Sequence, residues 1–210
     1  MAEPHLSLPV SRDQIRELRV GDTVFLSGEV TATGGLPAHK RMIACLDNQQ
    51  ALPVPVKDAL LHLPTMMDER DGRFEVRYVN PTTSTRFASF MPRLIKEFDL
   101  RIVGGKGGLD APCVEAMRDT GCVYVSLLGG GSPILSDAIE AVVQVGWLDL
   151  PSHFRLMRLS IRELGPLTVG IDAHGNSLFE QLSSRARERL PEIRRRLDER
   201  RESSLHPELK

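Results

Sequence analysis

The sequence predicts an α/β domain built on a largely parallel sheet. Short apolar runs rich in β-branched residues alternate with amphipathic stretches of helix length, as expected when helices connect parallel strands. Turns that contain glycine or proline separate these segments. The chain has 210 residues, which is enough for one well-filled core and marginal for two. We therefore expect one domain in residues 1–180, followed by a charged C-terminal helix and tail in residues 181–210.

Local signals place the elements of the N-terminal half. Ser11 and Gln14 form a capping box that predicts a helix from Arg12 to Leu18, and Gly21-Asp22 turns the chain into the next apolar run. The predicted strands of this half are 23–30, 74–79 (ended by Asn80-Pro81) and 100–103. The predicted helices after the first begin near Ala38, at Pro92 and at Ala111, the last ending at Gly121.

The C-terminal half continues the same alternation. A buried strand at 122–128 runs into a Gly-Gly-Gly-Ser-Pro turn, and later strands are expected at 154–161 and 167–171. A turn at 172–176 precedes one long helix of Arg, Glu and Leu from about Leu178 to Arg201. The remaining tail is polar, so we expect it to be frayed.

Composition excludes several function classes. Hydrophobic residues make up 41%, and the formal net charge of -1 gives no electrostatic reason to expect nucleic acid or anionic lipid as a partner. No apolar run approaches the roughly 20 residues that span a bilayer, and the N-terminus lacks signal-peptide features, so we expect a cytoplasmic protein without a membrane partner. Cys45, Cys113 and Cys122 form no CxxC or zinc-type pattern, which predicts no metal site on this chain.

Common catalytic motifs are also absent. Gly105-Lys106-Gly107 lacks the glycine spacing and the following Ser or Thr of a phosphate-binding P-loop. There is no HExxH, and Ser132 is followed by proline, which excludes a GxSxG nucleophile elbow. A Ser-His-Asp enzyme is therefore unsupported.

Basic and hydroxyl groups instead gather at three predicted strand ends, namely 38–41, 81–86 and 104–108. Taken alone, 81–86 is typical of a turn with local hydroxyl bonds, and 104–108 is typical of a tight turn. Because the carboxyl ends of parallel strands line one crevice, the joint occurrence predicts that the three segments converge on a cationic site.

Such a site suits a small dicarboxylate. Arg41 and Arg86 supply fork-shaped donors for two carboxylates, and Lys106 supplies a point charge. The hydroxyls of Thr83 and Ser84, with backbone N–H groups of the same turn, can complete the hydrogen bonding.

Five segments, in order, resemble those of the beta subunit or C-terminal domain of class I fumarases and L(+)-tartrate dehydratases. The likeness covers roughly residues 18–179, and PTTSTR with a downstream GGKGG is its most specific part. The five segments are 21–28, AHKRM at 38–42, PTTSTR at 81–86, GGKGG at 104–108 and GPLTVGIDAHGNSLF at 165–179.

The resemblance implies a swivelling β/β/α domain and a specific division of labour. In that family, a partner alpha subunit or N-terminal domain holds a [4Fe–4S] cluster through three cysteines, and one iron of the cluster binds the substrate. The implied function is a hydro-lyase that adds or removes water on a C4 dicarboxylate such as malate or tartrate. The chain would be active only with its alpha partner, and we expect a heterotetramer or a homodimer.

The resemblance also implies roles for individual residues. Thr82 matches the proton-transfer hydroxyl, while Arg41, Arg86 and Lys106 match the carboxylate clamp, and His39 matches the active-site histidine of two-chain members. Because a free threonine hydroxyl is a very weak acid, Thr82 would need nearby cations that stabilise its alkoxide or a relay through His39.

The chain departs from the family pattern, and two other function classes stay open. Asn80 and Phe87 replace a glycine and a methionine, and residues 34–37 replace an Arg-Asp pair. A stand-alone dicarboxylate-binding or regulatory domain would keep the anion site without catalysis. A structural scaffold would form a homodimer through its C-terminal helix. The alternative interpretation of that helix is a solvated amphipathic helix on the surface of the domain itself.

Overall fold

A computed structural model of the chain describes residues 4–205, and the side chains of residues 4–201. The chain divides into two compact units after Ser177, whereas the sequence placed the change of composition at residue 180. The described strands are β1 His5–Ser7, β2 Thr23–Ala32, β3 Ala59–Leu61, β4 Thr65–Arg70, β5 Arg73–Val79, β6 Ile102–Gly105, β7 Val123–Ser126, β8 Ile139–Gly146 and β9 Leu156–Ile171. The described helices are α1 Arg12–Glu17, α2 Leu36–Asp47, α3 Met91–Glu97, α4 Ala111–Thr120, α5 Ser132–Asp137 and α6 Leu178–Leu205, with 3₁₀ turns at Ser84–Phe87 and Ser152–Phe154.

Seven strands form the main sheet, in the order β1-β2-β3-β6-β7-β9-β8. The pairs β1–β2, β2–β3, β3–β6 and β6–β7 are parallel, so the predicted mostly parallel α/β sheet is confirmed. β9 runs antiparallel to its neighbours and also pairs with β2, which closes β2, β3, β6, β7 and β9 into a barrel. The sequence did not predict this closure.

β9 closes the barrel because it is long enough to pair along both edges. It spans 16 residues and pairs with β2 on one side, and with β8 and then β7 on the other. The sequence predicted two separate strands here, which was wrong. The intervening residues are accommodated by register shifts opposite β2, and Glu163 takes a φ of 53°. The bulge lets one strand continue where polar residues predicted a break.

β5 is present as predicted but does not belong to the main sheet. Among the described strands it pairs only with β4, as an antiparallel hairpin whose turn is Asp71-Gly72. Both turn residues have positive φ, 51° and 72°, as a two-residue hairpin of the Asp-Gly type requires. The strands β3, β4 and β8 were not predicted. β3 is only 3 residues long, and β4 and β8 carry too many polar residues to stand out as apolar runs.

The helix starts follow local chemistry. The capping box of α1 is confirmed, since the Gln14 N–H donates to Ser11 Oγ at 3.2 Å and the Ser11 N–H donates to Gln14 Oε1 at 3.1 Å. α2 begins at Leu36, two residues earlier than predicted, because Pro37 suits the first turn of a helix. Gly121 ends α4 in the left-handed conformation, with φ 72°, as predicted.

The main hydrophobic core is built largely from strand residues, and side chains of α1 and α5 pack into it. Val24, Leu26 and Val30 of β2 are completely buried, as are Leu159 and Leu167 of β9. α6 is a single helix with Pro191 in its interior. Of the predicted polar tail, residues 206–210 lie outside the described residues. Among the described helices, none combines the length and the apolar character needed to cross a lipid bilayer.

Candidate active site at the strand ends

Two of the three predicted segments meet beyond the ends of β3 and β6. The Thr82 N–H donates to the His62 carbonyl at 3.0 Å, and the Lys106 N–H donates to the Thr82 carbonyl at 3.1 Å. The Ser84 N–H then donates to the Lys106 carbonyl at 2.8 Å. The segment 81–86 therefore lies beside 104–108, although β5, which precedes it, lies outside the main sheet. Thr82, Thr83 and Lys106 are partly exposed where the segments meet.

Gly105 makes this close approach possible. A Cβ atom at this position would lie 2.1 Å from Ser84 Oγ and 3.1 Å from His62 Cβ. No side chain could occupy that space without moving the segment 81–86. A glycine is therefore needed at position 105 of the GGKGG motif because the segment 81–86 packs directly against it.

A buried polar chain fixes the 3₁₀ turn Ser84–Phe87 from below. His62 Nδ1 and Ser84 Oγ are 2.8 Å apart, and Ser84 Oγ and the Tyr124 hydroxyl are 2.9 Å apart. All three side chains are buried, and burial raises the pKa of Tyr124, so its hydroxyl stays protonated. Buried hydrogen bonds of this kind are costly to break, so these two hydrogen bonds hold the Ser84 side chain in one position.

His39 lies against the same turn. Its ring stacks on Phe87 with centroids 4.0 Å apart and planes 3° from parallel, and its centroid is 5.2 Å from that of His62. His39 Nδ1 lies 2.8 Å from the Gly35 carbonyl oxygen, which can only accept, so Nδ1 carries the proton. Desolvation lowers the pKa of His39 to about 4 and that of His62 well below its ordinary value. Both imidazoles are therefore neutral near pH 7.

The burial of His39 bears on its predicted role. The side chain is 0% exposed, and its Nε2 atom has no hydrogen-bond partner among the described residues. A substrate at the exposed strand ends would contact the 3₁₀ turn and not this ring. The geometry therefore favours a positioning role for His39, and its predicted part in proton transfer stays a prediction.

The three predicted cations differ in their surroundings. Lys106 is half-buried and Arg86 is exposed, and neither side chain forms an ion pair or hydrogen bond within the part of the chain whose side chains are described. Arg41 instead binds both oxygens of Asp149, at 2.8 and 2.5 Å, and its guanidinium carbon lies 5.8 Å from the centroid of the Trp147 ring. The hydrogen bonds from Arg41 lower the pKa of Asp149. A substrate carboxylate would have to displace Asp149 to reach Arg41.

A groove of about 800 Å³ lies elsewhere, between β5 and β8. None of the predicted site residues lines it. The candidate site is thus a partly exposed surface at the strand ends rather than this groove.

The described residues do not suit an iron–sulfur cluster on this chain. No group of three or more His, Cys, Asp or Glu side chains among them could hold a metal ion. Cys113 and Cys122 are buried, and desolvation raises the pKa of both thiols.

The sequence did not single out His62 or Tyr124. Each stands within or directly after a short apolar run, at 59–61 and 122–125, where most side chains are buried. A polar ring in such a run needs a buried partner, and that signal could have pointed to a hydrogen-bonded pair. Ser84, predicted as a substrate ligand, is the buried partner of both.

Acid should destabilise the folded chain through His39. Its pKa is about 4 in the folded protein, below the ordinary 6.5 of an unfolded histidine, so the unfolded chain takes up the proton first as pH falls. The contribution is complete above pH 6.5 and is lost between pH 6.5 and 4. By pH 5 the loss of stability amounts to about 2 kcal/mol. Urea unfolding at pH 7 and pH 5 measures the difference.

The variant His39→Phe keeps a ring against Phe87 and removes the titrating group. It should lose about 2 kcal/mol less between pH 7 and 5 than the parent chain. His174→Asn removes an exposed histidine and leaves His39 in place, so it should keep the acid destabilisation that His39 causes. An unchanged pH dependence in His39→Phe would contradict the assignment.

Comparison with known proteins identifies the family. The chain matches the family model described as Fumarase C-terminus over residues 3–182. It is 31% identical over 191 residues to a Geobacillus stearothermophilus protein named as a class I fumarate hydratase, covering 90% of this chain but only 36% of that protein.

Two further relatives match over nearly their whole length. One, from Methanocaldococcus jannaschii, is named as an L(+)-tartrate dehydratase beta subunit and is 28% identical, with 88% of this chain and 95% of the relative covered. The other is the L(+)-tartrate dehydratase beta subunit of Escherichia coli K12, which is 27% identical, with 84% and 86% covered. The chain therefore belongs to the fumarase C-terminus family, as a relative of the beta subunit of L(+)-tartrate dehydratase.

Proposed function

We propose that this chain supplies the carboxylate-binding and proton-transfer residues of a hydro-lyase that acts on a small C4 dicarboxylate, in a site completed by an alpha subunit. The observation that carries the proposal is the pairing of segment 81–86 with Lys106. It brings the hydroxyls of Thr82 and Thr83 and the cation of Lys106 to the end of the parallel strands. The family assignment and the relatives named as beta subunits support the same function.

Arg86 and Lys106 bind the substrate carboxylates first in this proposal. Neither cation is engaged with a described carboxylate, so neither has to give up a partner. At about 4 Å and an effective dielectric constant near 20, one such charge pair contributes roughly 4 kcal/mol before desolvation. Arg41 joins the clamp by exchanging Asp149 for a substrate carboxylate, and Thr83 contributes a hydroxyl at the edge of the site.

Thr82 is the proton-transfer residue in this proposal. Its backbone N–H and carbonyl are both hydrogen-bonded, at 3.0 and 3.1 Å, which fixes the backbone from which its side chain extends. In dehydration, the alkoxide of Thr82 takes the proton from the carbon next to a carboxylate and becomes a hydroxyl. The electron pair of that C–H bond forms the double bond, and the hydroxide that leaves the neighbouring carbon departs as water after it takes up a proton from solvent. Cations bound nearby lower the cost of charge on the threonine oxygen. His39 and His62 act beneath the turn, as neutral groups that hold it in place.

The partner and the cluster belong to the same proposal. The site is open at the strand ends, and the [4Fe–4S] cluster that the family resemblance implies is assigned to the alpha subunit. No step assigned to this chain depends on where the cluster lies. In this proposal the chain folds as a swivelling β/β/α domain, and the alpha subunit closes the site within a heterotetramer.

Co-expression with a cysteine-bearing alpha subunit tests the proposal. The isolated chain should be colourless and inactive, while the complex should be brown, oxygen-sensitive and able to hydrate fumarate or dehydrate malate or tartrate. Absorbance of the unsaturated acid measures the reaction. A cluster-loaded complex that is inert toward every C4 hydroxy-acid tried would contradict the proposal.

A stand-alone binding domain is the second candidate. The observation that favours it is that Arg86 and Lys106 form no ion pair with any side chain that the structure describes. Calorimetry of the isolated chain with malate, fumarate and tartrate distinguishes the two functions. Micromolar binding by the chain alone, together with an inert complex, would support the second candidate.

Asp149 should compete with substrate for Arg41. The pair is exposed, and exposed ion pairs contribute little, so Asp149→Asn should lower KM by up to about fivefold with little change in kcat. Steady-state kinetics of the complex measures the effect. Asp47→Asn, which frees Arg93 from a similarly exposed pair, is the matched control and should change neither constant. A raised KM in Asp149→Asn would contradict this competition.

A further inference from the structure

α6 carries an apolar stripe along one side. Leu182, Ala186, Leu190, Ile193 and Leu197 follow one another at intervals of three or four residues, which places them on one face of a helix. The four large members are 53%, 42%, 44% and 54% exposed. Every residue from Glu180 to Arg201 is exposed. At 1.5 Å per residue the helix is about 40 Å long, so the apolar stripe extends over several turns.

The charges of α6 are sorted around the apolar stripe. At roughly 100° per residue, seven of the eight arginines up to residue 201 lie closer to the centre of the stripe than any acidic residue does. These seven are Arg185, Arg187, Arg189, Arg194, Arg196, Arg200 and Arg201. The acidic residues up to residue 201 lie on the opposite half of the helix and are Glu180, Glu188, Glu192, Asp198 and Glu199. Pro191 also lies on that opposite half, away from the stripe.

The apolar stripe lies almost entirely outside the shared domain. The family match ends at residue 182, and only the first leucine of the stripe falls within it. Of the residues after Lys106, Asp149 alone takes part in the proposed reaction. The stripe and its arginines therefore need an explanation of their own.

We propose that α6 docks a helix of a partner protein whose own apolar stripe is flanked by Asp and Glu. The narrow stripe of aliphatic side chains has the width of a seam between two helices. Arginine binds carboxylates through a planar fork, so a row of arginines on both sides of the seam favours a partner with acidic flanks. Such rim charges select the partner and speed its association.

The same arrangement disfavours two other occupants. In a pair formed with a second copy of α6, arginines would meet arginines along both sides of the seam, which like-charge repulsion opposes. A helix that lies in a membrane interface takes a broad apolar face, often with aromatic residues. The stripe of α6 is narrow and aliphatic.

Fluorescence anisotropy of the full-length chain with labelled model peptides tests the proposal. One peptide has leucine at its seam positions and glutamate on both flanks, and the second has lysine in place of each glutamate. The glutamate peptide should bind, and its helix content, measured by circular dichroism, should increase. Its affinity should fall at least tenfold when NaCl is raised from about 0.05 to 0.5 M. The lysine peptide should not bind.

Variants locate the binding on α6. Leu190→Glu combined with Ile193→Glu should abolish binding of the glutamate peptide. Arg189→Glu combined with Arg196→Glu leaves the apolar stripe intact, and should weaken binding at least tenfold and allow the lysine peptide to bind. Arg195→Glu makes the same type of substitution once, on the opposite half of the helix, and should have no effect.

Three results would overturn the proposal. Equal binding of both peptides would show that charge does not select the partner. Self-association in sedimentation velocity that is lost in the stripe variant would assign the helix to a second copy. Binding to vesicles of phosphatidylglycerol and phosphatidylcholine, without binding of the glutamate peptide, would assign it to a lipid surface. None of these measurements depends on hydro-lyase activity, so a failure of the proposed reaction is separately visible.

Discussion

Arg86→Met should lower kcat/KM of the reconstituted complex by about a thousandfold, equivalent to about 4 kcal/mol. In the proposed site, Arg86 binds a substrate carboxylate through two parallel hydrogen bonds, and their loss leaves that carboxylate unpaired in a closed site. Arg86→Lys keeps the charge but not the fork, so it should recover part of the activity. Steady-state kinetics with fumarate, malate and tartrate measures these effects.

The stability of the chain separates this effect from unfolding. Arg86 is exposed and forms no ion pair with the side chains described, so Arg86→Met should unfold at the same urea concentration as the parent chain. Arg93→Met is the control, because Arg93 is a similarly exposed arginine whose partner is Asp47. If Arg86→Met retained kcat/KM within threefold, the proposed clamp would be wrong.

Gly105→Ala should destabilise the fold by about 3 kcal/mol and abolish activity with it. The new methyl group would lie 2.1 Å from Ser84 Oγ, and that oxygen is held by hydrogen bonds with His62 and Tyr124. The overlap must therefore move the segment 81–86, which carries Thr82 and Arg86. Urea unfolding and steady-state kinetics measure the two consequences.

A second substitution identifies the cause. Ser84→Ala removes the obstructing oxygen, so the double variant should be more stable than the sum of the two single changes by about 1–2 kcal/mol. Gly129→Ala is the control, since its Cβ would meet only Lys106 Cδ, at 3.8 Å, and it should be nearly neutral. Additive effects in the double variant would exclude the Ser84 contact as the reason for the glycine.

Much of the candidate site could be predicted because short, continuous sequence motifs mark it. The segments 81–86 and 104–108 were expected to meet, and the hydrogen bonds between Thr82, Ser84 and Lys106 show that they do. The reason given was incomplete, because β5 leaves the main sheet and 81–86 reaches the strand ends on its own. The buried chain from His62 through Ser84 to Tyr124 was not predicted, since its members are 22 and 40 residues apart in pairs.

The sequence by itself determined the features that depend on a few neighbouring residues. The capping box at Ser11, the glycine end of α4, the mostly parallel sheet and the family membership all follow from patterns within one segment or from their order. These signals survive because backbone hydrogen bonds and steric limits act between residues close in the chain.

Only the tertiary structure decided how distant segments share space. It closed the barrel through β9, buried His39 against Phe87, and paired Arg41 with Asp149 across a sequence separation of 108 residues. Each of these outcomes depends on which groups lie close together after folding. The local sequence around a side chain is the same whether its partner is water, a ring or a carboxylate. Burial and long-range pairing therefore set the protonation of His39 and the availability of Arg41, which local sequence could not specify.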